Sequence, residues 1–435
     1  MITYSDGKTT YSDGDSLSGD LGEKVRNGDK DALQKLKEFA TNKDPKQPHS
    51  QARALYELAE VHLNGFCEVK KSTETALKFL IQAAELNDDL AALRLGEFYR
   101  DGKQGFKQDG QKALELFLQA AEHGNKNGFR LTAEMFRAGQ GGFKADGYKA
   151  LEFYEKLDAL DDKQALISIA EIYEEGCGKF KAYGYKALEI YDEIIRHGKY
   201  WDKIHRDFGI ESYRLVNYKE ALSNAAQIYL EGKAGVVPDG YKAIECFSNL
   251  AEKDTEALKE IANIYLEGKA GVEPDGYTAI EYFSNLAEED TEALKEIADI
   301  YLEGKAGVEP DGYKAIEYLN EIIQRNEKYN FIVNPFNIMK ILAGIYRYGK
   351  AGVAQDGQKA VEYLTRIAEN DDAEDLFICE PKEAFYELGN IYEEGCGDVA
   401  PDIQKAIAFY QKSAALGNYS AKRKLKELID SNNDE

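Results

Sequence analysis

Four glutamates, Glu60, Glu97, Glu134 and Glu171, stand at equal intervals of 37 residues in a chain of 435. A carboxylate repeated at one spacing can do two kinds of chemistry. It can hold a row of fixed negative charge against a lysine- or arginine-rich segment, or two neighbours can divide acid and base roles, as in glycoside hydrolysis. The same register later holds Gln227, Asn263, Asp299, Gly344 and Asn390, and Arg94 is assigned to the same face as Glu97. The plainer reading is a solvated helix face in an acidic protein, because Asp and Glu number 79 against 55 Lys and Arg, a net charge of -24. That field repels nucleic acid and anionic membrane and suits a protein or peptide partner with a basic segment.

A second candidate is the stretch "GKYWDKIHRDFGIESYRLVNYK" from Gly198, with the only tryptophan, Trp201, beside Tyr200, Arg206, Phe208 and Tyr213. Rigid rings and arginine dominate binding hot spots because they bury much area at little entropic cost. The same rings could equally plug a core between lengthened helices.

Other motifs dissolve on inspection. "GIYRYGKA" from Gly344 has the GxxxxGK frame of a phosphate loop, but Ala351 replaces the hydroxyl and the segment reads as a helix end. "DGDSLSGD" from Asp13 lacks the spacing and closing glutamate of a calcium loop. His49, His62, His123, His197 and His205 form no HExxH, and Cys67, Cys177, Cys246, Cys379 and Cys396 form no CxxC pair. No catalytic residue, metal ligand or cofactor is assigned, and the sequence reads as a non-enzyme. No basic flank with an apolar core opens the chain, and 18 apolar residues never run together, so a cytoplasmic protein without membrane insertion is expected.

What positions these residues is a repeat. Nine copies share an aromatic slot (His62, Tyr99, Phe136, Tyr173, Tyr229, Tyr265, Tyr301, Tyr346, Tyr392), a glycine three residues on, and a helix start at the tenth. The starts are Ser72, Asp109, Asp146, Tyr183, Asp239, Asp275, Asp311, Asp356 and Asp402. In the copy from Thr255, Ala257, Leu258, Ile261, Ala262, Ile264 and Tyr265 fall in one arc at 100° per residue, which predicts an amphipathic helix A. Gly268 ends it, Asp275 caps helix B, and Ala279, Tyr282, Phe283, Leu286 and Ala287 face inward. One pair cannot bury its own stripe, so neighbours must stack. Extra length enters only between helix B and the next helix A, near 198–219, 325–336 and 369–383. The expected organisation is a flexible polar segment at 1–19, capping helices at 20–50, one continuous repeat array at 51–418, and a capping helix with tail at 419–435.

Helix A as "ALRLGEFYRDG" from Ala92, followed by a turn and "DGQKALELF", resembles the Sel1-like repeat, a relative of the tetratricopeptide repeat; so does "AFYELGNIYEEG" from Ala384. The resemblance implies an all-α, right-handed α-solenoid of about nine helix-turn-helix repeats with terminal capping helices. It further implies that the A helices line a concave side, and that the protein is an interaction scaffold or adaptor. Within that class a bacterial effector, or an immunity-type regulator restraining an effector or toxin, is the alternative. An enzyme using the acidic groove is disfavoured, because carboxylates on neighbouring stacked helices stand roughly 10 Å or more apart. The cysteine-rich secreted members staple each pair with a disulfide, and this chain lacks the paired cysteines.

Overall fold

In the computed structural model the ten-residue interval between aromatic slot and helix start closes on a hydrogen bond. The N–H of the start residue donates to the carbonyl of the slot residue in all nine units, from Ser72 to His62 (3.0 Å) through Asp275 to Tyr265 (2.8 Å) to Asp402 to Tyr392 (2.7 Å). The structure describes the chain apart from residues 1–3, 6–7, 10–12, 42–47, 209–212, 252–253, 289, 330–334, 370–379 and 434–435, and the side chains of 4–5, 8–9, 13–18, 48, 200–208, 213–216, 327–329, 380 and 430–433 also lie outside that description.

Two short antiparallel strands, β1 (Tyr4–Ser5) and β2 (Lys8–Thr9), precede the helices. Helices α1 (Asp13–Arg26) and α2 (Lys30–Thr41) come next, so helix already begins within the segment expected to be flexible. Then follow the A and B helices of the nine units. They are α3 (Pro48–Asn64) and α4 (Thr73–Glu85), α5 (Asp89–Asp101) and α6 (Gly110–Glu122), α7 (Lys126–Ala138) and α8 (Gly147–Ala159), α9 (Gln164–Glu175) and α10 (Gly184–Phe208), and α11 (Tyr213–Glu231) and α12 (Gly240–Ser248). The last four are α13 (Thr255–Glu267) and α14 (Gly276–Leu286), α15 (Thr291–Glu303) and α16 (Gly312–Tyr329), α17 (Pro335–Tyr348) and α18 (Gly357–Ala368), and α19 (Glu380–Glu394) and α20 (Ile403–Ala415), before α21 (Tyr419–Asn433). The fold is an all-α solenoid. Where it is described, the added sequence lengthens helices, α10 having 25 residues, α11 19 and α16 18, while most of the stretch near 369–383 lies outside the described residues.

The chain divides into two compact units, one of Met1–Ile228 with Gly232–Val237, the other of Tyr229–Glu231 with Pro238–Glu435. Where the sequence reads one continuous array, the boundary falls inside α11. A stack whose repeats touch only their neighbours can divide at any junction where contacts thin.

Within the second unit the packing follows the sequence pattern. Ala257, Ile261, Ala262 and Ile264 of α13 are buried, Leu258 and Tyr265 half-buried, and one apolar cluster runs from Ala262 to Val399, shared by every pair it crosses. Gly268 takes φ 68°, the left-handed turn that ends α13. The Asp275 carboxylate accepts from the Tyr277 and Thr278 amides, capping α14. Tyrosines stack across each pair, Tyr265 on Tyr282 at 6.1 Å and Tyr301 on Tyr318 at 6.2 Å, with Lys314 over the Tyr301 ring at 4.8 Å. Gly276 shows how units meet: a Cβ there would sit 2.6 Å from the Lys305 carbonyl oxygen, so only glycine lets the start of one B helix rest on the next unit's turn.

Candidate functional site

The repeated polar position lies on helix A two residues before the aromatic slot, and being next to buried neighbours it is half-buried in every unit. In the first unit its carboxylates are largely occupied. Arg94 of α5 reaches back to Glu60 of α3 at 3.5 Å and along its own helix to Glu97 at 3.2 Å, while Arg137 of α7 reaches Glu171 of α9 at 2.5 Å and Glu175 at 3.4 Å. Glu134 alone of the four forms no ion pair within 4 Å among the described residues, though its charge acts on Arg100. Gln227 is half-buried on α11.

These bonds belong to a wider set in which arginines tie successive A helices together. Arg26 of α1 pairs with Glu57 of α3 at 2.8 Å, Arg130 of α7 with Asp162 before α9 at 2.5 Å, and Arg53 of α3 with both Asp88 (3.0 Å) and Asp89 (2.7 Å) at the start of α5. Glu57 is buried, and desolvation pushes its carboxyl above the usual range despite Arg26 and Arg53. Sequence reasoning missed this set. Its signal was present: Arg53 and Asp89 are 36 residues apart and Arg137 and Glu171 are 34, close to one repeat, the separation that makes residues lateral neighbours in a stack.

The second unit differs at the same register. Among the described residues no arginine pairs at Asn263, Asp299 or Gly344, and Lys295 approaches Asp299 only to 3.9 Å. Asn390 is engaged more fully, accepting from the Tyr410 hydroxyl at 2.7 Å, while on its helix Glu387 is held by Arg347 of α17. Burial raises the Asp299 carboxyl above its ordinary range, with Lys295 and Lys305 opposing. A raised value means that this group's stabilising contribution is complete below the unfolded pKa and is lost as pH rises through the folded one. Asp299→Asn, which copies Asn263 of the otherwise near-identical preceding repeat, is therefore expected to raise stability at pH 7 by up to about 1 kcal/mol and to leave it unchanged near pH 3. Chemical denaturation at the two pH values checks this.

The aromatic insertion cannot be joined to this surface. Tyr200, Trp201, Arg206 and Phe208 lie on α10 and Tyr213 opens α11, but their side chains fall outside the described residues. His62 packs in the aromatic slot, 5.8 Å from the Phe79 ring. Cys177 and Cys396 share a role that their common "EEGCG" turn foreshadows, their thiols donating to the carbonyls of Arg137 (3.3 Å) and Arg347 (3.4 Å) in the preceding A helices. Burial raises both thiols above the ordinary range, which disfavours thiolate chemistry. Among the described residues no group of three or more His, Cys, Asp or Glu could hold a metal ion, and no helix is long and apolar enough to cross a membrane.

The Sel1 repeat model matches residues 52–88, 89–125, 130–157, 219–254, 255–290, 291–326, 341–372 and 383–418, well over half of the chain. The pair α9 and α10 lies between the third and fourth of these stretches. A protective antigen of uropathogenic Escherichia coli displaying an SLR fold is 21% identical, over 95% of this chain and 90% of its own, with a TM-score of 0.35. A Sel1 repeat protein of Oxalobacter formigenes is 19% identical over 63% of this chain and 96% of its own, at 0.39. An immunity protein of Pseudomonas aeruginosa is 19% identical over 58% and 86%, at 0.24. Comparison with the curated proteins finds no match. The repeat matches carry the assignment by themselves, and they coincide with eight of the nine helix pairs: the chain belongs to the Sel1 repeat family.

Proposed function

We propose that the protein is a binding scaffold whose A-helix faces hold a partner protein or peptide bearing a basic segment, without making or breaking a bond. Sel1 repeats commonly mediate protein–protein interaction. The observation that carries the reading is the contrast between the two units. In the first, Arg94 pairs with Glu60 of the neighbouring helix and Glu97 of its own, and Arg137 pairs with Glu171. In the second, among the described residues, no arginine pairs at Asn263, Asp299 or Gly344, and Lys295 stands 3.9 Å from Asp299. Two of the four ladder carboxylates, Glu60 and Glu171, thus join neighbouring helices, and the reading puts the partner on α13, α15 and α17. Using Glu60, Glu97 or Glu171 as a catalytic carboxylate would require breaking those arginine pairs first. The experiment is amide hydrogen exchange on the protein alone and with a saturating lysine-rich peptide; slowed exchange on α13, α15 and α17 supports the reading, and no slowing there defeats it.

A further inference from the structure

Glycine inside a helix is destabilising relative to alanine, so each one calls for a physical reason. Most A-helix glycines have one in the packing. A Cβ on Gly96 would lie 2.5 Å from the Phe117 ring, one on Gly128 2.3 Å from the Phe117 carbonyl oxygen, and one on Gly389 2.5 Å from the Tyr410 ring. Gly344 has no such reason: a Cβ there would meet nothing within 4 Å, and the residue is partly exposed. It occupies the polar register of α17, between Asp299 one repeat before and Asn390 one repeat after.

The charge around it is arranged in rails. The flanking helices α15 and α19 carry nine Asp and Glu between them against Lys295 and Lys382, with Lys305 pairing with Glu303 and Lys424 with Glu393 from beyond the two helices, whereas α17 carries no carboxylate, only Lys340 and Arg347. Glu303 and Glu394 are the most exposed of the paired carboxylates on the two rails, and Arg347, itself nearly buried, is already committed to Glu387 and Glu394. Between two acidic helices there is thus one place where no side chain stands.

We propose that α17 is the crossing point for an extended, lysine- or arginine-bearing segment of a partner protein, its main chain lying against Gly344 and its cations reaching the carboxylates of α15 and α19. This rests on the A-helix faces being the partner surface. A bare Cα admits another backbone at van der Waals distance, which any side chain would hold off. α17 packs against α16 and α18, so the rails stand one repeat to either side; the Arg347 side chain spans the step to α19, and an extended chain, advancing about 3.3 Å per residue, carries its cations outward from the crossing toward both rails.

The test uses the full chain and a fluorescein-labelled peptide with two lysines on each side of a Ser-Gly-Ser core, beside its glutamate counterpart, by anisotropy. The lysine peptide is expected to bind and the glutamate peptide not to. Gly344→Ala, whose added carbon meets no neighbour, is expected to raise the melting temperature yet weaken the lysine peptide several-fold, and Gly344→Leu to weaken it at least tenfold. Equal binding of the lysine peptide by wild type and Gly344→Leu overturns the crossing point and leaves the A-helix surface standing. A lower melting temperature in Gly344→Ala also overturns it, because the glycine is then structural. No binding of the lysine peptide, or equal binding of both peptides, overturns the crossing point and the surface together.

Discussion

Arg53→Ala is expected to destabilise the first unit by about 3–5 kcal/mol, the range for removing one partner of a buried ion pair. Arg53 bridges Asp88 at 3.0 Å and Asp89 at 2.7 Å, with the three side chains only 10%, 3% and 12% exposed. Truncation leaves two carboxylates out of water beside each other with no cation between them. Asp88 also caps α5, accepting from the Ala91 amide at 2.8 Å, so the loss reaches the helix start as well as the junction between repeats. Two further substitutions separate charge from packing. Adding Asp88→Asn and Asp89→Asn to Arg53→Ala removes the stranded charge, and because asparagine caps a helix about as well as aspartate, much of the lost stability should return. Urea denaturation of the three proteins reads this directly. A single-variant loss below about 1 kcal/mol would mean that the arginine is exchangeable with water and the stack does not depend on it.

Phe117→Ala is expected to lose a similar amount, about 3–5 kcal/mol, by a different route. The Phe117 ring is fully buried on α6, and the chain has shaped two A helices around it: Gly96 of α5 yields to the ring and Gly128 of α7 to the Phe117 and Ala121 backbone. The cavity left by truncation spans a repeat junction, so neither neighbour can collapse into it alone. The converse change, Gly96→Ala, overpacks the same spot, and a smaller ring-site residue should relieve it. Gly96→Ala with Phe117→Leu is expected to be less destabilised than the sum of the two single losses. Additive losses would show that the two sites do not share this space.

Much of the fold is legible in the sequence because a stack of short repeats prints its period. The aromatic slot, the turn glycine and the capping aspartate each have a local cause, visible in Tyr265, Gly268 and Asp275, and local causes survive reading without coordinates. Register on helix A is legible for the same reason, which is why Glu60 through Asn390 were placed on one face. What that face does was not. Whether Glu171 waits for a partner or is held by Arg137 depends on which residue of the neighbouring repeat comes alongside, and that is set by lateral packing over a whole unit. Gly344 was half legible: the sequence sets it in the polar register, two residues before the aromatic slot, where Gly96 and Gly389 stand three before theirs, but only the atoms around them show that those two yield to a ring and that Gly344 faces open space. The division within α11 was equally unreadable, since no proline- or glycine-rich linker marks it.

The claim on which the functional account turns is that a basic segment lies across the A helices of the second unit. Amide hydrogen exchange mapped residue by residue, with and without the saturating lysine peptide, measures it most directly. The account predicts slowed exchange along α13, α15 and α17, greatest around Gly344, and no change along α14 and α16. Slowing confined to those B helices or to the turns, or a peptide that leaves the whole pattern unchanged, would contradict it.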